Sequence, residues 1–227
     1  MKIIELGKNV LAANGAEAEA LRERMKKAGV LLVNLMSSPG SGKTTLLSRL
    51  IRDMGDTRIG VMEADIESAV DAERIEALGA RAIQVHTGGM CHMDAYMTAE
   101  ALREMGEEGL DLVFLENVGN LICPAEYDTG AGMKLMILSV PEGDDKPLKY
   151  PLIFRESDAL VITKCDALSY FDFDIEKCRE RAKKLNPAIE IYPVSAKTGE
   201  GMEALERFLE GRLTAWRELP YRGDRVK

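Results

Sequence analysis

The chain has 227 residues, of which 46% are apolar and 30% charged, and carries a formal charge of −8. That length suits one large domain or a domain with a small attachment. No apolar run approaches the roughly 18 residues of a membrane span, the first ten residues lack a signal-peptide core, and the acidic balance argues against general nucleic-acid binding, which needs clustered Lys and Arg. The expectation is a cytoplasmic protein with no membrane insertion and no nucleic-acid partner.

The first predicted element is a helix over 10–28, where Leu11, Ala18, Leu21, Met25 and Ala28 recur at helical spacing before Gly29. The run "VLLVNLMSS" (30–38) is near-continuously apolar, as in a strand buried on both faces. A helix over 43–54 follows, with Leu46, Leu47, Leu50, Ile51 and Met54 on one side. Strand-like runs then recur at 58–64, 80–87, 110–117, 134–140, 159–164 and 189–196. Helix-like stretches fall near 67–78, 93–107, 149–156, 173–185 and 200–216. This alternation predicts an α/β fold of three layers, a mostly parallel sheet with helices on both faces. The runs 110–117 and 134–140 have no helix between them, which suggests an edge or hairpin element. The expected division is an N-terminal helical extension, 1–29, and a nucleotide-binding domain, 30–227.

Ligands of such sheets bind beyond the carboxyl ends of the strands, and four motifs fall there. The first is "SSPGSGKTT" (37–45). Gly40 and Gly42 let backbone N–H groups curl around phosphate oxygens, with Ser41 between them and the positive end of a helix behind. Lys43 supplies a point charge to the β and γ phosphates, Thr44 a hydroxyl for Mg²⁺, and Ser41 and Thr45 count with them among the nucleotide-binding residues. Ser37 stands where the phosphate-loop pattern has its first Gly. The second motif is "TKCD" (163–166), which resembles the guanine-specificity motif Asn-Lys-x-Asp, with Thr163 in place of Asn. The Asp166 carboxylate can accept from both guanine donors, whereas adenine offers no such pair. The Lys164 stem would lie along the base. The third is "SAKTGEG" (195–201), similar to the Ser-Ala-Lys loop of GTPases. That likeness implies that Ser195, Ala196 and Lys197 close over the base, with the Ala196 N–H meeting the guanine O6. The fourth is "FLENVGN" (114–120). Glu116 ends a buried strand and Gly119 follows three places on, matching a switch with an acid near Mg²⁺ and a glycine N–H near the γ phosphate. Asp65 in "EADIES" would by the same resemblance be a further acid near Mg²⁺ or the attacking water.

The cysteines separate. Cys91 and His92 are adjacent in "GGMCHMD", and Cys123 follows Gly119 by four places. Two thiolates and an imidazole suit Ni²⁺ or Zn²⁺, and a fourth ligand could come from a second subunit, water or a partner. Cys165 and Cys178 read as packing residues.

The motifs "SSPGSGKTTLL", "GGMCHMDA", "ENVGNLICPAEYD", "DKPLKYPLIFRESD", "TKCD" and "DFDIEKC" together resemble HypB, the hydrogenase nickel-incorporation GTPase family, from about Val30 to the C-terminus. The resemblance implies GTP hydrolysis to GDP in support of nickel delivery to [NiFe]-hydrogenase precursors. It implies HypA as a partner and a metal site of Cys91, His92 and Cys123 at a nucleotide-linked homodimer interface. Residues 1–29 contain neither Cys nor His, so no high-capacity nickel storage is expected there. The apolar stretch "ALSYFDF" (167–173) is a candidate dimer contact. The competing readings are a GTPase chaperone for urease or a cobalamin-dependent mutase, against which the Cys-His dipeptide argues, and a metal carrier that scarcely turns over.

Overall fold

A computed structural model describes residues 6–65 and 70–218, with side chains described over 12–64 and 73–218. The strands are β1 (Leu31–Ser37), β2 (Ile59–Asp65), β3 (Arg81–His86), β4 (Leu112–Glu116), β5 (Met133–Ser139), β6 (Ala159–Thr163) and β7 (Glu190–Pro193). They form one sheet in the order β3-β2-β4-β1-β5-β6-β7, and every pairing is parallel. The helices are α1 (Leu6–Ala28), α2 (Lys43–Asp53), α3 (Val70–Glu76), α4 (Ala95–Met105), α5 (Cys123–Glu126), α6 (Lys146–Lys149), α7 (Pro151–Glu156), α8 (Ile175–Leu185) and α9 (Met202–Glu218).

The period-two alternation of β1 sorts the core into two layers. Leu31, Val33 and Leu35 face Leu46, Leu47 and Leu50 of α2, Ile75 of α3 and Leu205 and Leu209 of α9. Leu32 turns to the other side, with Leu21 and Met25 of α1 and Leu102 of α4. Met36 joins Ile153 and Phe154 of α7 and Cys178 of α8 on that side. Burial on both faces is what makes these strands near-continuously apolar. Among the described residues no helix is long and apolar enough to cross a membrane.

Two expectations from the sequence are corrected. The runs 110–117 and 134–140 are neither a hairpin nor an edge. They become β4 and β5, which lie on opposite sides of β1 at the centre of the sheet. The segment between them, which includes α5, crosses over the carboxyl end of β1, and only a connection of that length can return the chain parallel. The predicted helix at 149–156 is instead α6 and α7, broken around Tyr150 and Pro151.

Candidate functional site

The carboxyl ends of β1, β2 and β4 frame a cleft of about 530 Å³ lined by Gly40, Gly42, Lys43, Thr44, Thr45, Glu63, Arg74, Glu116, Asn117, Gly119 and Lys164. Its floor is the loop from Ser37 to α2. Gly40 and Gly42 take φ of 72° and 95°, a region that side chains disfavour. Ser37 uses its side chain where the general pattern has none. Its Oγ accepts from Ser41 Oγ at 2.7 Å and from Lys43 Nζ at 3.0 Å and donates to Ser38 O at 2.8 Å. Lys43 also lies 3.9 Å from Glu116 Oε1. The Thr44 hydroxyl donates to the Glu116 carboxylate, at 3.3 and 3.4 Å. Two oxygens about 3 Å apart have the separation of neighbouring ligands on an octahedral Mg²⁺, so this donor pair fits the ion. Gly119 approaches the phosphate loop closely. A Cβ there would lie 2.9 Å from the backbone N of Pro39, so this position requires glycine.

Of the predicted acids, Asp65 is the last residue of β2, and its side chain lies outside the described residues. Glu63, two places earlier, lines the cleft instead and is paired in register with Glu116 on the adjacent strand. Glu63, Arg74 and Asn117 were not singled out from the sequence. The one available signal was a charged residue inside the apolar run "RIGVMEA".

The base-side motifs converge on the same loop. Thr163 donates from Oγ1 to Ser41 O at 2.7 Å. Lys164, at a φ of 60°, donates to Gly40 O at 2.7 Å. Thr163 thus fastens the phosphate loop to β6, a task its hydroxyl can perform. Ser195, at the end of the strand-to-loop turn after β7, donates to Asp166 Oδ1 at 2.7 Å and orients that exposed carboxylate. Ala196 and Lys197 follow in the same turn, and Thr198 N donates to Ser195 Oγ at 3.2 Å. Cys165 is buried, its thiol pushed up to about 11 chiefly by desolvation. The Cys178 thiol is likewise pushed up to about 12. Both are packing residues, as the sequence suggested.

Cys91, His92 and Cys123 come together, with their donor atoms all within 4.8 Å of one another. The two sulfurs are 2.9 Å apart and Cys91 Sγ is 3.7 Å from His92 Nδ1. Cys91 is exposed and His92 buried. The His92 ring stacks on Tyr127 at 3.8 Å, and its Nε2 is buried without a hydrogen-bond partner among the described residues. Desolvation lowers the His92 pKa and favours the neutral imidazole that metals need. The neighbouring Cys91 thiol, followed by burial, pushes the Cys123 thiol up. Two soft sulfurs with the His92 Nδ1 beside them fit a thiophilic divalent ion.

The two sites share a wall. Asn117, fully buried, lies between Glu116 and Val118. Its Oδ1 accepts from Val118 N at 2.9 Å and from Met93 N, the amide next to His92, at 3.0 Å. Its Nδ2 donates to Asn34 Oδ1 on β1 at 3.0 Å.

A parallel sheet with a Gly-rich loop between β1 and α2 defines a P-loop nucleotide-binding protein, here with a thiol–imidazole cluster beside the loop that could hold a metal ion. A family model described as "CobW/HypB/UreG, nucleotide-binding domain" matches residues 31–193. The hydrogenase maturation factor HypB of Rhizobium leguminosarum bv. viciae is 46% identical over 210 residues, 92% of this chain and 70% of that one. The hydrogenase/urease maturation factor HypB of Helicobacter hepaticus is 42% identical over 213 residues, 92% of this chain and 88% of that one. A crystal structure of HypB from Helicobacter pylori in complex with nickel superimposes with a TM-score of 0.86 at 39% identity, covering 92% of this chain and 99% of that one. The chain belongs to the HypB family of maturation factors, within the CobW/HypB/UreG group.

Proposed function

We propose that this protein is a GTP-hydrolysing metallochaperone that supports nickel insertion into hydrogenase precursors. The observation that carries the reading is one short segment with a foot in each site: Glu116 lines the cleft and Cys123 belongs to the thiol–imidazole cluster. The domain 30–227 would carry both sites, with 1–29 as its helical extension. GTP would lie with its phosphates on Gly40–Thr45, its base over Lys164 and against Asp166, and Ser195, Ala196 and Lys197 closing over it. The carboxylate that Ser195 orients would accept from the guanine N1–H and N2 amino groups.

Hydrolysis would proceed by attack of water on the γ phosphorus, with the bond to the β–γ bridging oxygen breaking and GDP and phosphate leaving. Lys43, held between Ser37 and Glu116, would stabilise charge growing on the β and γ oxygens. Mg²⁺, held by Thr44 and Glu116 with Asp65 nearby, would neutralise charge on the same oxygens. Glu116, and by the resemblance Asp65, would orient the water, and the Gly119 N–H would meet the γ phosphate. Nickel, or zinc in its place, would be cargo on Cys91, His92 and Cys123. A second subunit would complete the site, and a HypA-type partner and the hydrogenase precursor would supply and receive the metal. Relatives named for both hydrogenase and urease maturation favour a client range that includes urease.

The test is phosphate release by purified protein supplied with GTP or ATP. GTP should be hydrolysed in preference, and Lys43→Ala should abolish turnover. Asp166→Ala should erase most of the guanine preference, about a hundredfold, the value of a few kcal/mol of lost base contact. Equal affinity of the unaltered protein for the two nucleotides would overturn the reading.

A further inference from the structure

The thiol–imidazole site is assembled from two segments far apart in sequence. Cys91 and His92 precede α4, whereas Cys123 opens α5 and Tyr127 ends it. One side chain of α1 joins them. Asn14 is 9% exposed. Its Oδ1 accepts from Ala95 N, the first amide of α4, at 3.0 Å, and its Nδ2 donates to Asp128 O at 2.9 Å. Ala95 lies three places after His92, and Asp128 directly follows the Tyr127 whose ring stacks on His92.

The rest of α1 makes that seat firm. Arg22 Nη2 donates to both Asp128 carboxylate oxygens at 2.7 Å, and its Nε to Ala131 O at 3.1 Å. Leu21 sits directly on Gly130, where an added Cβ would be 2.8 Å from Leu21 Cδ2. Asn14, Leu21 and Arg22 thus press one helix onto the loop that returns from Tyr127 to β5.

We infer that α1 sets the spacing of the two ligand-bearing segments, with Asn14 as the positioning residue that spans them. This rests on the reading that Cys91, His92 and Cys123 bind metal. A buried carboxamide that uses its acceptor on one segment and its donor on the other holds only over a narrow range of separation. A ligand set needs its donors placed within about 0.5 Å. With Asn14 removed, Tyr127 could shift relative to α4, and the His92 ring would lose its backing.

The experiment is nickel titration of the full chain, following affinity and the thiolate-to-nickel absorption band, for the unaltered protein, Asn14→Ala, Asn14→Asp and Cys123→Ala. Thermal unfolding reports on folding. Asn14→Asp keeps an acceptor for Ala95 N, where a carboxylate also suits the helix start, and replaces the donor to Asp128 O by an oxygen that repels it. It therefore decides the matter even where Asn14→Ala fails to fold. Both Asn14 variants should bind nickel about tenfold more weakly, with an altered band per bound ion, a change that a purely stabilising residue would not cause. An Asn14→Asp protein with unaltered affinity and band overturns the inference. If Cys123→Ala loses nickel while that result holds, only the role of α1 fails. If Cys123→Ala binds nickel like the unaltered protein, the metal reading fails and takes this inference with it.

Discussion

Asp111, at the opposite end of the sheet from the cleft, shows how a single residue ties the fold together. It is buried, and its carboxylate accepts from Arg58 N and Nε at 2.9 and 2.8 Å, from Arg58 Nη2 at 2.9 Å, and from Arg217 near the end of α9. Its backbone carbonyl accepts from Leu31 N at 3.0 Å, where β1 begins. The Arg58 hydrogen bonds, opposed by burial and reinforced by Arg217, hold the Asp111 carboxyl well below the usual carboxylate range. A depressed folded-state pKa stabilises the protein above the unfolded value, about 3.9. That contribution is lost as pH falls through the lowered value. Asp111→Asn should therefore destabilise the protein at pH 7 by about 1–2 kcal/mol, a modest figure because Arg58 and Arg217 are largely solvated. Urea unfolding at neutral pH and below pH 4 measures it. The gap between variant and unaltered protein should narrow as the pH drops, and a gap that stays constant would show that the carboxylate charge contributes nothing.

The loop from β4 through α5 shows where legibility from sequence stops. Its motifs were readable because chemistry constrains them: Glu116, Gly119 and Cys123 stand out in "ENVGNLIC" as acid, close-approach glycine and thiol. Its path was not readable. A run of residues without helical period looks the same whether it bends back as a hairpin or crosses over β1, and the difference is decided by which strands pair. The same holds for Asn117, Glu63 and Asn14. Each is an ordinary polar residue in sequence, and its role arises from partners in distant segments, such as Met93 for Asn117 and Ala95 for Asn14. The phosphate loop was legible because its contacts are local, from Ser37 to Lys43. Asn117 gives this element a prediction of its own. Its Oδ1 joins Val118 N, on the nucleotide side, to Met93 N, beside His92. Asn117→Ala removes that joint and leaves Cys91, His92 and Cys123 in place. Nickel should still bind, but the difference in nickel affinity between GDP and non-hydrolysable GTP forms should shrink by about 0.5–2 kcal/mol. Isothermal titration of both forms would measure it, and a difference equal to that of the unaltered protein would mean that the joint carries no signal.

At the scale of the molecule, the question is whether an exposed apolar patch and the two sites act together. The stretch 167–173 divides: Phe173 is buried in the core, while Tyr170 is 83% and Phe171 46% exposed. Exposed aromatic groups beside a nucleotide site suit a contact between two copies. If two copies pair here, the unaltered nucleotide-bound protein should sediment as a dimer and Phe171→Glu as a folded monomer; an unaltered protein that stays monomeric at high concentration, with and without metal, overturns the contact. A contact between two copies would bear on metal binding, because Cys91 is exposed and the cluster offers only three ligands among the described residues. Nucleotide would bear on it as well: Glu116 and Cys123 bound the same short segment, so a shift of Gly119 toward a γ phosphate would be passed on toward Cys123. If nucleotide state alters nickel affinity, linkage requires nickel to alter the relative affinity for GTP and GDP by the same factor. A typical coupling of about 1–3 kcal/mol corresponds to a 5- to 150-fold change, enough to load metal in one state and release it in the other. Nickel titrations of the nucleotide-free, GDP and non-hydrolysable GTP forms should differ by a factor in that range. Nucleotide titrations with and without nickel should return the same factor. Identical nickel affinity and identical thiolate absorption in all three forms would show that cleft and cluster, though they share a wall, act independently.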